Sequence, residues 1–128
     1  MQIEKKHPAV KHLALLLAAL LLLALGFPSQ AAGPGFRSRR QLEEHYAKHG
    51  SEFGNISIGQ YLRLAQDLRD APAGGAILES VRADGVISRF DRRHSYFGAY
   101  NPDRTIRTFF IPNDGERYFY RQTRKPHR

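Results

Sequence analysis

Two imidazoles and an ammonium fall within about two helical turns in Leu42-Glu43-Glu44-His45-Tyr46-Ala47-Lys48-His49-Gly50, ahead of a half rich in arginine, threonine and aromatic residues. Such a set suits the breaking of RNA without a metal. That chemistry needs a base for the 2′-hydroxyl proton, an acid for the leaving 5′-oxygen and fixed positive charge for the phosphorane. His45 and His49 fit the two proton transfers because imidazole titrates near neutrality. Lys48, Arg89 or Arg107 can carry the positive charge, with Ser88 or Thr108 donating a hydrogen bond to a phosphate oxygen. The expected product end is a 2′,3′-cyclic phosphate.

Each of these residues also has a plainer reading. The His45/His49 pair has the i, i+4 spacing of a metal site, but Tyr46 stands where a zincin carries glutamate and no third ligand is apparent, so neither a metal nor a cofactor is expected. His49 can instead cap its helix. Arg89 can pair with Asp84 or Asp91, and Arg107 can be an ordinary exposed strand residue. Tyr96, Phe97, Tyr100, Phe109 and Tyr118 offer stacking platforms for unpaired bases, or else they fill the core of a small protein that has no tryptophan. Other chemistries are poorly served. The chain has no cysteine, no Gly-x-Ser-x-Gly elbow, no phosphate-cradling glycine loop and no carboxylate pair placed by a motif for sugar hydrolysis.

The elements that position these groups lie beyond residue 32. Lys5, Lys6 and Lys11 precede an unbroken apolar run over 13–25, and Gly26-Phe27-Pro28 followed by Ser29-Gln30-Ala31 reads as the end of an export signal. Residues 1–32 are therefore expected to be a signal peptide cut after Ala31 or Ala32; the alternative is an uncleaved membrane anchor. Without Lys5, Lys6, Lys11 and Glu4 the rest carries 17 basic and 11 acidic side chains, a net charge of +6. A domain of this size buries only about 60–65% of the surface that its unfolded chain exposes, enough for one modest core. With no cysteine, packing and hydrogen bonds must hold it. Domain bounds of 33–122 follow, with a basic tail over 123–128.

Ser38-Arg39-Arg40-Gln41 has the form of a capping box, so a helix should start near Arg39 and close at Gly50 in a left-handed conformation. Leu42, His45, Tyr46 and His49 then share one face. Ser57-Ile58-Gly59-Gln60 opens a second helix, with Ile58, Tyr61, Leu62, Ala65 and Leu68 on one stripe, ending near Asp70. Turn signals then separate short runs at 77–82, 86–91, 96–100, 105–111 and 116–122. The pattern predicts an α+β fold: two N-terminal helices packed on a four- to five-stranded antiparallel meander, behind the signal helix. Strand alternation sends Ile106, Thr108 and Phe110 one way and Thr105, Arg107, Phe109 and Ile111 the other. The site is expected at a mid-sheet cleft beneath the histidine helix.

The order of Phe36…Leu42-x-x-His45-x-x-Lys48-His49-Gly50-x-x-Phe53-Gly54, Tyr61-x-x-x-Ala65, Asp84-Gly85-x-Ile87-x-Arg89-Phe90-Asp91, Phe97-Gly98 and Ile106-Arg107-Thr108-Phe109-Phe110-x-Pro112 resembles small bacterial and phage toxin-type domains. These belong to the barnase, EndoU and colicin-D-like ribonuclease superfamily. The resemblance implies a helix packed on an antiparallel sheet and metal-independent RNA cleavage, often of tRNA. It favours His45 as acid or base, with Lys48, His49, Arg89, Thr105 and Thr108 around it; Phe90 departs from a frequent tyrosine. Together these observations predict a secreted or periplasmic, toxin-like endoribonuclease with His45, His49, Lys48 and Thr108 as its catalytic set and Arg89, Arg107, Ser88 and Thr105 binding substrate. It would act as a monomer, with RNA and an immunity protein as partners and a membrane only if the leader stays. The rival class is a non-catalytic basic envelope protein that binds nucleic acid, another anionic polymer or a protein partner, with steep salt dependence and no cutting.

Overall fold

A computed structural model describes residues 33–124. The expected signal peptide and the last four residues of the basic tail lie outside the described residues. Both N-terminal helices start where their serines dictate. The Ser38 hydroxyl accepts the Gln41 N–H at the head of α1, Arg39–His49. Ser57 and Gln60 form the full reciprocal box at the head of α2, Ile58–Asp70, satisfying two otherwise orphaned N–H groups. Gly50 does not end α1 in the left-handed region as the sequence suggests. Its φ is −55°, and it continues into a 3-10 turn, Gly50–Phe53. Packing is the reason for glycine here, because a Cβ would lie 2.6 Å from the Tyr46 ring.

Four strands follow, β1 Ile77–Val81, β2 Ile87–Asp91, β3 Tyr96–Tyr100 and β4 Ile106–Phe110, in an antiparallel sheet of order β1-β2-β3-β4. The fold is α+β. The expected fifth strand at 116–122 is instead a helix, α3, Glu116–Arg124, which reaches two residues into the segment read as tail. Glu116 in its first turn and Arg121 and Arg124 in its last complement the helix dipole, and Asp114 pairs with Arg121 across the turn. In so short a run the period-2 and period-3.6 patterns are hard to tell apart, and the sheet supplies the burial that favours the helix.

The register explains why neither face of the strands reads as purely polar. Leu78, Phe90, Phe97 and Phe110 line up across all four strands on the face that α3 covers with Phe119 and Tyr118. Phe90, at the position where the resembled domains often carry tyrosine, is buried there. The next row, Glu79, Arg89, Gly98 and Phe109, faces α1 and α2, where Leu42, Tyr61, Ala65, Leu68, Tyr100 and Ile106 form the larger core with Phe109. Phe97, Tyr100 and Phe109 are thus core residues, removed from any role as open stacking platforms. The phenols of Tyr61 and Tyr100 reach across this core to the carbonyls of Phe109 and Ala65, and burial pushes both pKa values up, so each remains a protonated donor.

One irregularity decides the site. Ala99 pairs with Thr108 but Tyr100 pairs with Ile106, which leaves Arg107 as the extra residue of a bulge in the edge strand β4. Plain alternation would put Ile106 with Thr108 and Phe110. The bulge instead turns Ile106 to the face of Phe109, where it is buried.

Candidate active site at the edge of the sheet

The residues just before α1 run along the outer edge of β4. Phe36 bridges Ile106 in parallel, and Gly35 accepts the Ile106 N–H at 2.9 Å. This sets the Phe36 ring between Tyr61 and His45, with its centroid 4.9 Å from the imidazole. His45 is therefore backed by an aromatic wall and opens on its other side to two adjoining hollows. One, of about 340 Å³, is lined by Arg37, Gln41, Glu44, His45, Asn101, Ile106 and Arg107. The other is formed by Glu44, His45 and Lys48. Partial burial lowers the pKa of His45 below that of a free imidazole; His49 and Lys48 add to the effect and Glu44 opposes it. At neutral pH His45 is thus a neutral imidazole, able to accept a proton.

His49 lies one turn on, its ring centroid 6.3 Å from that of His45, and stacks on Phe110 at 5.1 Å. Its Nδ1 lies 2.8 Å from one carboxylate oxygen of Glu52, and the other oxygen of the same carboxylate accepts the Ile111 N–H at 2.9 Å. The side chain keeps 14% of its surface open. Arg107 projects from the bulge into the larger hollow and donates to Asn101 at 3.1 Å, while Arg37 is only loosely paired with Asp103 at 3.9 Å.

Of the residues singled out from the sequence, His45, Lys48 and Arg107 line the two hollows, and His49 stands beside them, its ring 6.3 Å from that of His45, without lining either. The others lie elsewhere. Arg89 faces α2, pairs with Glu79 at 2.9 Å and donates to the carbonyls of Leu68 and Ala71, which makes it the cap of that helix. Nor does Arg89 take the alternative pairing with Asp84 or Asp91: Asp84 pairs with Arg82 and Asp91 with His94. Ser88 and Thr108 share a row on the opposite face, Ser88 buried and Thr108 half-buried on the edge strand. Thr105 is tied into the β3–β4 turn, donating to Asp103 and accepting from Asn101. The site accordingly lies at the start of the edge strand and not in mid-sheet.

Arg37, Gln41, Glu44, Asn101 and Glu52 were not singled out from the sequence. Gln41, Glu44, His45 and Lys48 recur at i, i+3, i+4 and i+7 on α1, a polar stripe beside the apolar one, and that spacing carries the signal for two of them. Asn101 and Arg37 arrive only through tertiary contacts. Among the described residues no group of three or more His, Asp and Glu side chains is arranged to hold a metal ion, and no helix is long and apolar enough to cross a membrane. No protein-family model matches this chain, and no curated protein does so either.

Proposed function

We propose that this protein is an exported, toxin-like endoribonuclease that cleaves RNA, tRNA among its targets, by attack of the 2′-hydroxyl on the adjacent phosphate. The observation that carries this reading is His45: a neutral imidazole held against Phe36, opening onto polar hollows that also carry Arg37, Arg107 and Lys48, with a second imidazole 6.3 Å away. His45 takes the 2′-hydroxyl proton. The 2′-oxygen then bonds to phosphorus while the bond to the 5′-oxygen breaks, leaving a 2′,3′-cyclic phosphate on one fragment. His49, anchored through Nδ1 and entering the step protonated at both ring nitrogens, gives its Nε2 proton to the departing 5′-oxygen and is left neutral. Arg107, Arg37 and Lys48 offset the charge on the phosphorane. RNA is the partner, the protein acts as a monomer, and an immunity protein and a secreted or periplasmic location go with the toxin-type resemblance and the leader.

The test is incubation with total tRNA and a labelled single-stranded RNA in EDTA, wild type beside His45→Ala. Cutting that survives EDTA, leaves cyclic phosphate ends and disappears in the variant supports the reading. Folded protein that binds both RNAs with steep salt dependence but cuts neither overturns it in favour of the basic binding module.

A further inference from the structure

Glu52 is the residue at this edge whose arrangement goes beyond charge. It stands in the 3-10 turn after α1, and its two carboxylate oxygens are committed in different directions, one to Nδ1 of His49 at 2.8 Å and one to the backbone N–H of Ile111 at 2.9 Å, just past the end of β4. The ring it holds is also fixed face-on by Phe110. A rotor gripped by a stacking partner and by one hydrogen bond at Nδ1 has a single tautomer when neutral, because an ionised carboxylate only accepts.

We propose that Glu52 is a positioning residue: it clamps His49 in the Nδ1–H form between the helix end and the edge strand, so that Nε2 is the one ring atom left to exchange a proton with a substrate. This rests on the ribonuclease reading for its catalytic consequence but not for the clamp itself. The Ile111 amide makes the clamp stiff, since the carboxylate cannot swing to follow the imidazole without releasing the strand. His45 is the titratable group that α1 places beside the His49 ring, with Lys48 its neighbour in sequence; the turn contributes Glu52, and β4 contributes the Phe110 ring.

The test uses the full chain, labelled with nitrogen-15, and compares wild type with Glu52→Ala and Glu52→Gln. Above the histidine titration range, the His49 side-chain nitrogens of the wild type should report a protonated Nδ1 and a bare Nε2. Glu52→Ala should show a mixture dominated by the commoner Nε2–H form, while kcat for RNA cleavage falls roughly hundredfold, the scale of one misplaced proton transfer, and KM stays within about twofold. Glu52→Gln retains one carbonyl acceptor for Nδ1–H and should restore much of the tautomer and part of kcat, although its amide cannot also accept from Ile111. An unchanged His49 tautomer in a folded Glu52→Ala protein overturns the clamp. A tautomer lost without change in kcat overturns the positioning role. A wild type with the clamped tautomer that cuts no RNA supports the clamp and overturns the ribonuclease reading alone.

Discussion

Replacing Arg89 by methionine separates a structural arginine from a substrate-binding one. The side chain is 11% exposed, and its guanidinium holds Glu79 and two carbonyls at the end of α2, those of Leu68 and Ala71. A hydrogen bond from a charged donor contributes about 1.5–3 kcal/mol, and a buried acceptor left unmatched costs about 1–3 kcal/mol. Glu79 is one-third exposed, so solvent screens its share of the pair toward the surface value of less than about 1 kcal/mol. Methionine keeps the aliphatic stem packed, which removes a cavity penalty. The net loss expected is about 2–4 kcal/mol, a fall in Tm of roughly 10 °C or more for a domain of this size. Arg89→Lys should fall between, because a point charge cannot serve three acceptors set in a fork. Thermal and urea unfolding followed by circular dichroism would give the stability, and RNA binding against salt concentration would report any lost phosphate contact. A variant with unchanged Tm whose salt slope drops by about one would refute the structural assignment and return Arg89 to the substrate.

The remaining expectations concern the two cores and the edge site. Phe119→Ala should destabilise the protein by about 3–5 kcal/mol in urea unfolding, since Phe119 is buried in the core beneath α3; a surface-like loss under about 0.5 kcal/mol would mean that α3 does not cover the sheet. Gly98→Ala should cost about 1–3 kcal/mol, because a Cβ there lies 2.7 Å from Cζ of the buried Tyr100 ring, and Tyr100→Ala in the same background should show strong non-additivity in a double-mutant cycle. His45 has a lowered pKa in the folded state, so the unfolded chain binds its proton more readily. Its contribution to stability is therefore complete above the ordinary imidazole value near 6.5 and is lost as pH falls from there through the lower folded value. His45→Gln should flatten that part of the stability profile, as read by Tm at stepped pH. The same shift should place the acidic limb of the cleavage profile that belongs to His45 below pH 6.5; a limb above it would contradict the assignment of His45 as base.

Local chemistry was legible wherever it was settled within a turn or two of chain. Ser38 and Ser57 mark both helix starts, the apolar stripes of α1 and α2 identify the faces that enter the core, and Asp84-Gly85 and the turn at 101–104 separate the strands. The polar stripe from Gln41 to Lys48 was equally readable at helical spacing. What misled was alternation. It assigns sides to β4 on the assumption of one partner residue per strand residue, and the bulge at Arg107 breaks that count, so Ile106 goes to the core and Arg107 to the hollow.

The α+β class, the histidine-bearing helix and the basic balance were readable from the chain, because capping, periodicity and charge are properties of neighbouring residues. Which arginine serves the fold and which faces the cleft emerges from packing, since Arg89 and Arg107 look alike until the carbonyls of α2 claim one of them. Packing also decided that 116–124 is a helix, because a second face of the sheet needed covering, and that Glu52, three residues from His49, also meets Ile111 across 59 residues of chain. Contacts at such separations depend on how the layers stack, and no local pattern encodes them.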